Sequence, residues 1–197
     1  MGETLCKYIE KNNLKINPLF DFLEQFLNSE KINILLTINE DNLFDEEMYC
    51  SFFLCDKKYY NLLVNKNGYV NFWELMTIIY LLKKDIYKTK VNNILNLFIF
   101  DENDLITNQD NFYFILETFV SCIKKLFIID NEKFEKDEDI KLFYDKEIES
   151  YYLTIFKALD IQDVKISSLK RIIEHDEALF NLLYKINEQA EEMFENY

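Results

Sequence analysis

The sequence predicts an all-α fold, on three observations. Its 197 residues include two Gly and one Pro, too few for the φ > 0 turns that a multi-stranded sheet with tight hairpins requires. Apolar residues recur at three- and four-residue spacing along most of the chain, the period of helices with one buried face. Short polar segments recur near residues 40, 68, 104 and 163, each between two apolar stripes, the rhythm of a repeated helix–loop–helix unit. An apolar fraction of 49%, with 16% aromatic residues, supplies enough surface for a core and excludes a globally disordered chain.

The elements follow in order. Asn17-Pro18 is a helix start, with Asn as cap and Pro at the first position; Leu19, Phe22, Leu23, Phe26 and Leu27 then mark the first helix. The second is expected over about Glu46 to Leu54, the third over Lys57 to Leu63, and the fourth over Phe72 to Lys83 with Leu75, Ile78, Ile79 and Leu82 on one face. Val91, Ile94, Leu95 and Phe98 mark a fifth, and Phe112, Ile115, Leu116, Phe119 and Ile123 a sixth. A charged stretch from Asp130 to Glu149 reads as a solvated linker. Ile148, Tyr152, Ile155, Phe156 and Leu159 mark a seventh helix, an eighth runs from about Ser168, and a ninth covers Glu177 to Phe194. Core packing is the ordinary meaning of each stripe. Two units are expected, 1–85 and 86–197, each holding one pair of helix–loop–helix segments, the second with a terminal helix.

Composition removes several function classes. A net charge of −14 opposes phosphate backbones and anionic membranes, so nucleic acid is not an expected partner, whereas a basic amphipathic helix is. Cys6, Cys50, Cys55 and Cys122 include no CxxC pair, and the single His175 does not complete a zinc site with them; free thiols and a cytoplasmic location are expected. No run of about 18 apolar residues provides a membrane span, and the richest stretch, Phe112 to Ile129, is broken by Glu117, Lys124 and Lys125. No glycine-rich phosphate loop or nucleophile–base motif is present, so an enzyme is not expected.

The most informative gap is Asn65 to Glu74, NKNGYVNFWE. Calcium loops of the form D-x-[DN]-x-[DN]-G-x5-E place oxygen ligands at positions 1, 3 and 5, a turning glycine at 6, a bridging β-branched residue at 8 and a bidentate Glu at 12. Asn65, Asn67, Gly68, Val70 and Glu74 fill positions 3, 5, 6, 8 and 12, with the Tyr69 carbonyl at 7 and Asn71 at 9. Leu63 stands at position 1 and brings no side-chain oxygen. Asn65, Asn67, Tyr69, Asn71 and Glu74 are therefore the candidate metal ligands, for calcium bound weakly, since a single carboxylate among neutral oxygens carries little charge.

Further along, FIFDENDLITNQDNF (Phe98 to Phe112) places Asp101 and Asn103 at positions 1 and 3, Ile106 and Thr107 at 8 and 9, and Asp110 where the Glu belongs, with two residues missing. FKALDIQDVKISSLKRII (Phe156 to Ile173) places Asp160 at position 1, Ile166 and Ser167 at 8 and 9, and the cation Lys170 at the last position. The first loop, Ile38 to Glu47, departs further. With FWEL after the second loop, the Lys88-to-Phe98 approach to the third and HDEALFNLL (His175 to Leu183) near the end, the chain from Pro18 onward resembles the EF-hand superfamily, and within it the neuronal calcium sensor and calcineurin B group, with degenerate loops.

The resemblance implies four EF-hand-like units paired into two lobes. Paired loops are expected to touch through short β bridges, at Val70 with the first loop and at Ile106 with Ile166. It implies a regulatory or adaptor protein whose groove holds an amphipathic helix of a larger protein, largely independent of calcium. The alternative is a weak calcium sensor, using the second loop, that regulates an enzyme or membrane protein. Met1-Gly2 opens the chain as in acylated members of that group, with Cys6 where Ser or Thr is usual; acylation of Gly2, with Cys6 as a second site, would add membrane association. Without a partner, the groove is expected to be filled by the helix near Glu177 to Phe194 or by a second copy in a homodimer.

Overall fold

The computed structural model describes residues 2–38, 43–99, 105–106, 109–129, 136, 146 and 164–195. The described chain is predominantly helical. Its elements are α1 (Gly2–Lys11), a 3₁₀ helix (Pro18–Phe26), α2 (Ser29–Ile38), β1 (Leu43–Phe44), α3 (Glu46–Phe53), α4 (Lys57–Leu63), β2 (Val70–Asn71), α5 (Phe72–Leu82), α6 (Tyr87–Asn96), β3 (Leu105–Ile106), α7 (Gln109–Leu126), β4 (Val164–Lys165), α8 (Ile166–Ile173) and α9 (Glu177–Glu195). The expected stripe from Ile148 to Leu159 and the charged stretch around it lie outside the described residues, save for 136 and 146.

Helix starts follow local side-chain chemistry. Asn17 Oδ1 accepts from the Leu19 N–H at 3.1 Å, Asp45 Oδ1 from Met48 at 2.8 Å, and Asp176 Oδ1 from Leu179 at 2.9 Å, each satisfying an amide the helix leaves unpaired. The segment after Pro18 is a 3₁₀ rather than the expected α-helix. Its buried residues are Phe20, Leu23 and Phe26, every third position, and three residues per turn places them in one row. Leu19, assigned to the apolar face by the α period, is exposed instead.

Helix α5 is the centre of the molecule. Every residue from Leu75 to Leu82 is buried, and a helix apolar all round belongs inside. It packs against α6, α7 and α9, so the core continues across residue 85, where the two expected units meet. Helix α9 presents Leu179, Leu182, Leu183 and Ile186 to the interior and packs against α1, α5, α6 and the 3₁₀ helix. Helices α1 and α2 have no counterpart in the sequence-based order. The first is amphipathic, buries Leu5, Tyr8 and Ile9, and runs along α9. Its Gly2 backbone lies so near that an added Cβ would stand 2.7 Å from backbone atoms of Ala178 and Leu179.

Strand pairing is limited, among the described residues, to two antiparallel bridges. Phe44 faces Val70 and Leu43 faces Asn71, so Val70 meets the first loop as expected. Ile106 faces Val164, and Leu105 faces Lys165. The expected partner, Ile166, instead begins α8 with its side chain fully buried. The bridge forms two residues earlier because Ile166 is taken by the core.

Candidate cation loop and docking surfaces

The loop from Leu63 to Glu74 closes on itself. Gly68, at φ +82°, makes the turn, a left-handed conformation that glycine adopts without a side-chain clash. Asn65 Oδ1 accepts from the N–H groups of Asn67 at 2.9 Å and Tyr69 at 3.2 Å, and the Tyr69 carbonyl accepts from the Asn65 N–H at 2.9 Å. Tyr60 donates its hydroxyl to the Gly68 carbonyl. Asn71 Oδ1 caps α5, accepting from Trp73 at 2.8 Å and Glu74 at 3.3 Å.

Glu74 does not turn toward these groups alone. Its Oε2 lies 2.6 Å from the Lys125 ammonium, and its Oε1 accepts from the Ser121 hydroxyl. Lys125 also donates to the Leu63 carbonyl at 2.6 Å, and Cys122 Sγ reaches the Glu74 carbonyl at 3.3 Å. Ser121, Cys122 and Lys125 all come from the last two turns of α7. The Lys125 and Glu74 side chains are 19% and 15% exposed, so the pair is shielded from water far better than a surface bridge.

Calcium takes six to eight oxygens. Here Leu63 offers a carbonyl held by Lys125, the oxygens of Asn65, Tyr69 and Asn71 accept from backbone amides, and the single carboxylate is neutralised. Arranged this way, Asn65, Tyr69, Asn71 and Glu74 are each engaged by groups of the protein itself. Among the described residues, no group of three or more His, Cys, Asp or Glu is placed to hold a metal. In the other loops, Lys170 donates to Asn96 Oδ1 at 2.6 Å and Glu46 pairs with Lys57 at 2.6 Å. Asp101, Asn103, Thr107 and Asp160 lie outside the described residues.

Sequence reasoning missed the α7 contribution. Lys125 is 51 positions from Glu74, and no local pattern links them. The one signal was a pair of lysines, Lys124 and Lys125, at the end of an apolar stretch.

Three of the thiols, Cys6, Cys55 and Cys122, are shifted away from the reactive form. Cys122 is buried, and burial raises its pKa well above the ordinary thiol value, helped by Glu74. Burial pushes Cys55 up to about 11, with Cys50 adding to the shift, and burial with Glu10 raises Cys6. A reactive cysteine needs the opposite shift.

Two apolar features remain. Between α6, α7, α8 and α9 is a wholly apolar cavity of about 50 Å³, with Leu179 and Leu183 of α9 closing one side. In the N-terminal half, a hollow of about 250 Å³ opens to solvent between the 3₁₀ helix, α2 and the end of α3, over Phe26, Phe52 and Phe53. Leu54 and Ile34, which line it, are 92% and 45% exposed. Leu54 also has φ +49°, the left-handed region that costs a side-chain-bearing residue about 1 kcal/mol.

No helix among the described residues is long and apolar enough to cross a membrane. No protein-family model, no curated protein and no solved structure matches the chain.

Proposed function

We propose that the chain is an EF-hand-like regulatory or adaptor protein: four degenerate helix–loop–helix units paired as 1–85 and 86–197, which bind an amphipathic, basic helix of a larger protein without calcium as the trigger. The paired bridges, 43–44 with 70–71 and 105–106 with 164–165, support the four-unit arrangement, because each joins two segments that lead into a helix.

The exposed hollow beside Leu54 is the observation that carries the binding role. A soluble surface normally avoids a contiguous apolar patch, and here one side is built from an exposed leucine held in a costly backbone conformation. In the C-terminal half the corresponding apolar faces are covered by α9, which leaves the N-terminal hollow as the docking surface. Lys31 lines the hollow itself, and the surrounding charge favours a cationic partner. Glu24 and Glu30, next in sequence to Gln25 and Lys31 at the hollow, are exposed, and the whole chain carries −14. A cationic helix is steered toward such a surface.

The test is affinity purification from native lysate, in calcium and in chelator, with the full chain and the L54E variant. The same partner in both conditions, lost with L54E, is the expected result. A partner retained only in calcium would replace the adaptor with a sensor. Equal recovery with L54E would move the docking surface elsewhere.

A further inference from the structure

We infer that the Lys125 ammonium is a built-in cation for the loop from Leu63 to Glu74: delivered from α7, it ties the Leu63 carbonyl at one end of the loop to the Glu74 carboxylate at the other, the latter being the group a bound ion would need. The inference rests on the helix–loop–helix reading above for what the site is compared with, whereas the contacts stand without it.

One ammonium contacts both ends of the loop, at 2.6 Å from the Leu63 carbonyl and 2.6 Å from Glu74 Oε2. These are the first and twelfth positions of the calcium pattern. An ordinary bridge between helices has no reason to choose that pair. The first position explains the choice: Leu63 lacks the acid that a dication requires, but its carbonyl, at the end of α4, suits a monovalent donor. Lys125 has three N–H bonds to give and one positive charge. It neutralises Glu74, caps α4, and leaves a dication to displace an ammonium that would then repel it at close range.

The clamp also fastens α7 to the N-terminal half. One residue beyond Lys125, the Leu126 carbonyl accepts from the Asn17 N–H at 2.9 Å, and Ser121 completes the hold on Glu74. Three residues of one helix end thus tie the 3₁₀ start, α4 and α5 together. A cation that is part of the chain is always at hand, so the loop keeps its closed state without a metal.

The experiment uses the full chain and terbium, a calcium mimic whose luminescence Trp73, in the eleventh loop position, would sensitise. Wild type, K125M, E74Q and K125M/E74Q give a double-mutant cycle on the denaturation midpoint. L63D and L63D/K125M are titrated with terbium. K125M and E74Q are each expected to lower the midpoint, with the double variant little worse than either. L63D/K125M is expected to bind terbium at least tenfold more tightly than L63D. Additive effects in the cycle would overturn the clamp. Equal terbium affinity, or none in both, would overturn the ammonium as a metal substitute even with a non-additive cycle. If K125M does not fold, K125Q, which keeps a donor for the Leu63 carbonyl, takes its place. A partner bound only in calcium, with these results intact, would sink the adaptor reading alone.

Discussion

The ammonium of Lys90, in α6, lies 2.5 Å from Oδ1 of Asn187, in α9, and 2.5 Å from the Leu81 carbonyl, in α5. Lys90 has no exposed surface. Asn187 in turn reaches the Asp85 carbonyl at 3.4 Å. One buried amine therefore joins the terminal helix to the central one.

Burial lowers the Lys90 pKa from 10.5 to about 7, opposed by the Asp85 carboxylate and reinforced by Lys83. The sign of the pH effect follows. Between that value and the ordinary lysine range, the unfolded chain binds the proton and the folded one does not, so stability rises with pH. Each pH unit is worth at most about 1.4 kcal/mol. From pH 7 to about 8.5, below the ordinary thiol and phenol range, thermal stability should increase in the wild type. K90M should remove the slope. A wild-type melting temperature that is flat or falls over this interval would contradict the assignment.

Gly2 makes the second prediction. Backbone atoms of Ala178 and Leu179 leave no room for a Cβ, and backbone gives way less readily than a side chain. G2A should cost about 1–3 kcal/mol, as overpacking does, by pushing α1 off α9. Chemical denaturation measures it. An unchanged midpoint would mean that α1 contributes little to the fold.

Leu54 separates stability from binding. L54G relieves the left-handed strain at φ +49° and should raise stability by about 1 kcal/mol. It also removes the exposed side chain beside the hollow, and so should weaken partner capture. A variant that is both less stable and fully binding would refute the role given to Leu54.

These residues also mark what the sequence revealed and what it did not. Helices α3, α4, α5 and α9 were legible to within a residue or two, because Asp45, Asp56, Asn71 and Asp176 punctuate them locally. The 3₁₀ segment was misread because Phe22, Leu23 and Phe26 fit a period of 3.6 as well as Phe20, Leu23 and Phe26 fit a period of three. Helix α1 hides in a polar stretch whose few apolar residues make sense only against α9. The turn of the second loop was legible at Gly68, which has φ +82°, and so was the missing side-chain oxygen at Leu63. The cation that answers this defect was not, since Lys125 reaches Glu74 through tertiary packing across 51 positions. Likewise Ile166, read as a bridge residue, is claimed by the core, and Val164 bridges instead.

A second loop that already holds its cation, as we propose, leaves calcium nothing to trigger. Following the Gly68 amide by NMR during a calcium titration of the full wild-type chain tests it most directly, because this N–H closes the turn, lying 3.1 Å from the Asn65 carbonyl. The resonance should stay in place through millimolar calcium. A saturable shift of Gly68 at micromolar calcium, with Glu74 leaving Lys125, would contradict the account.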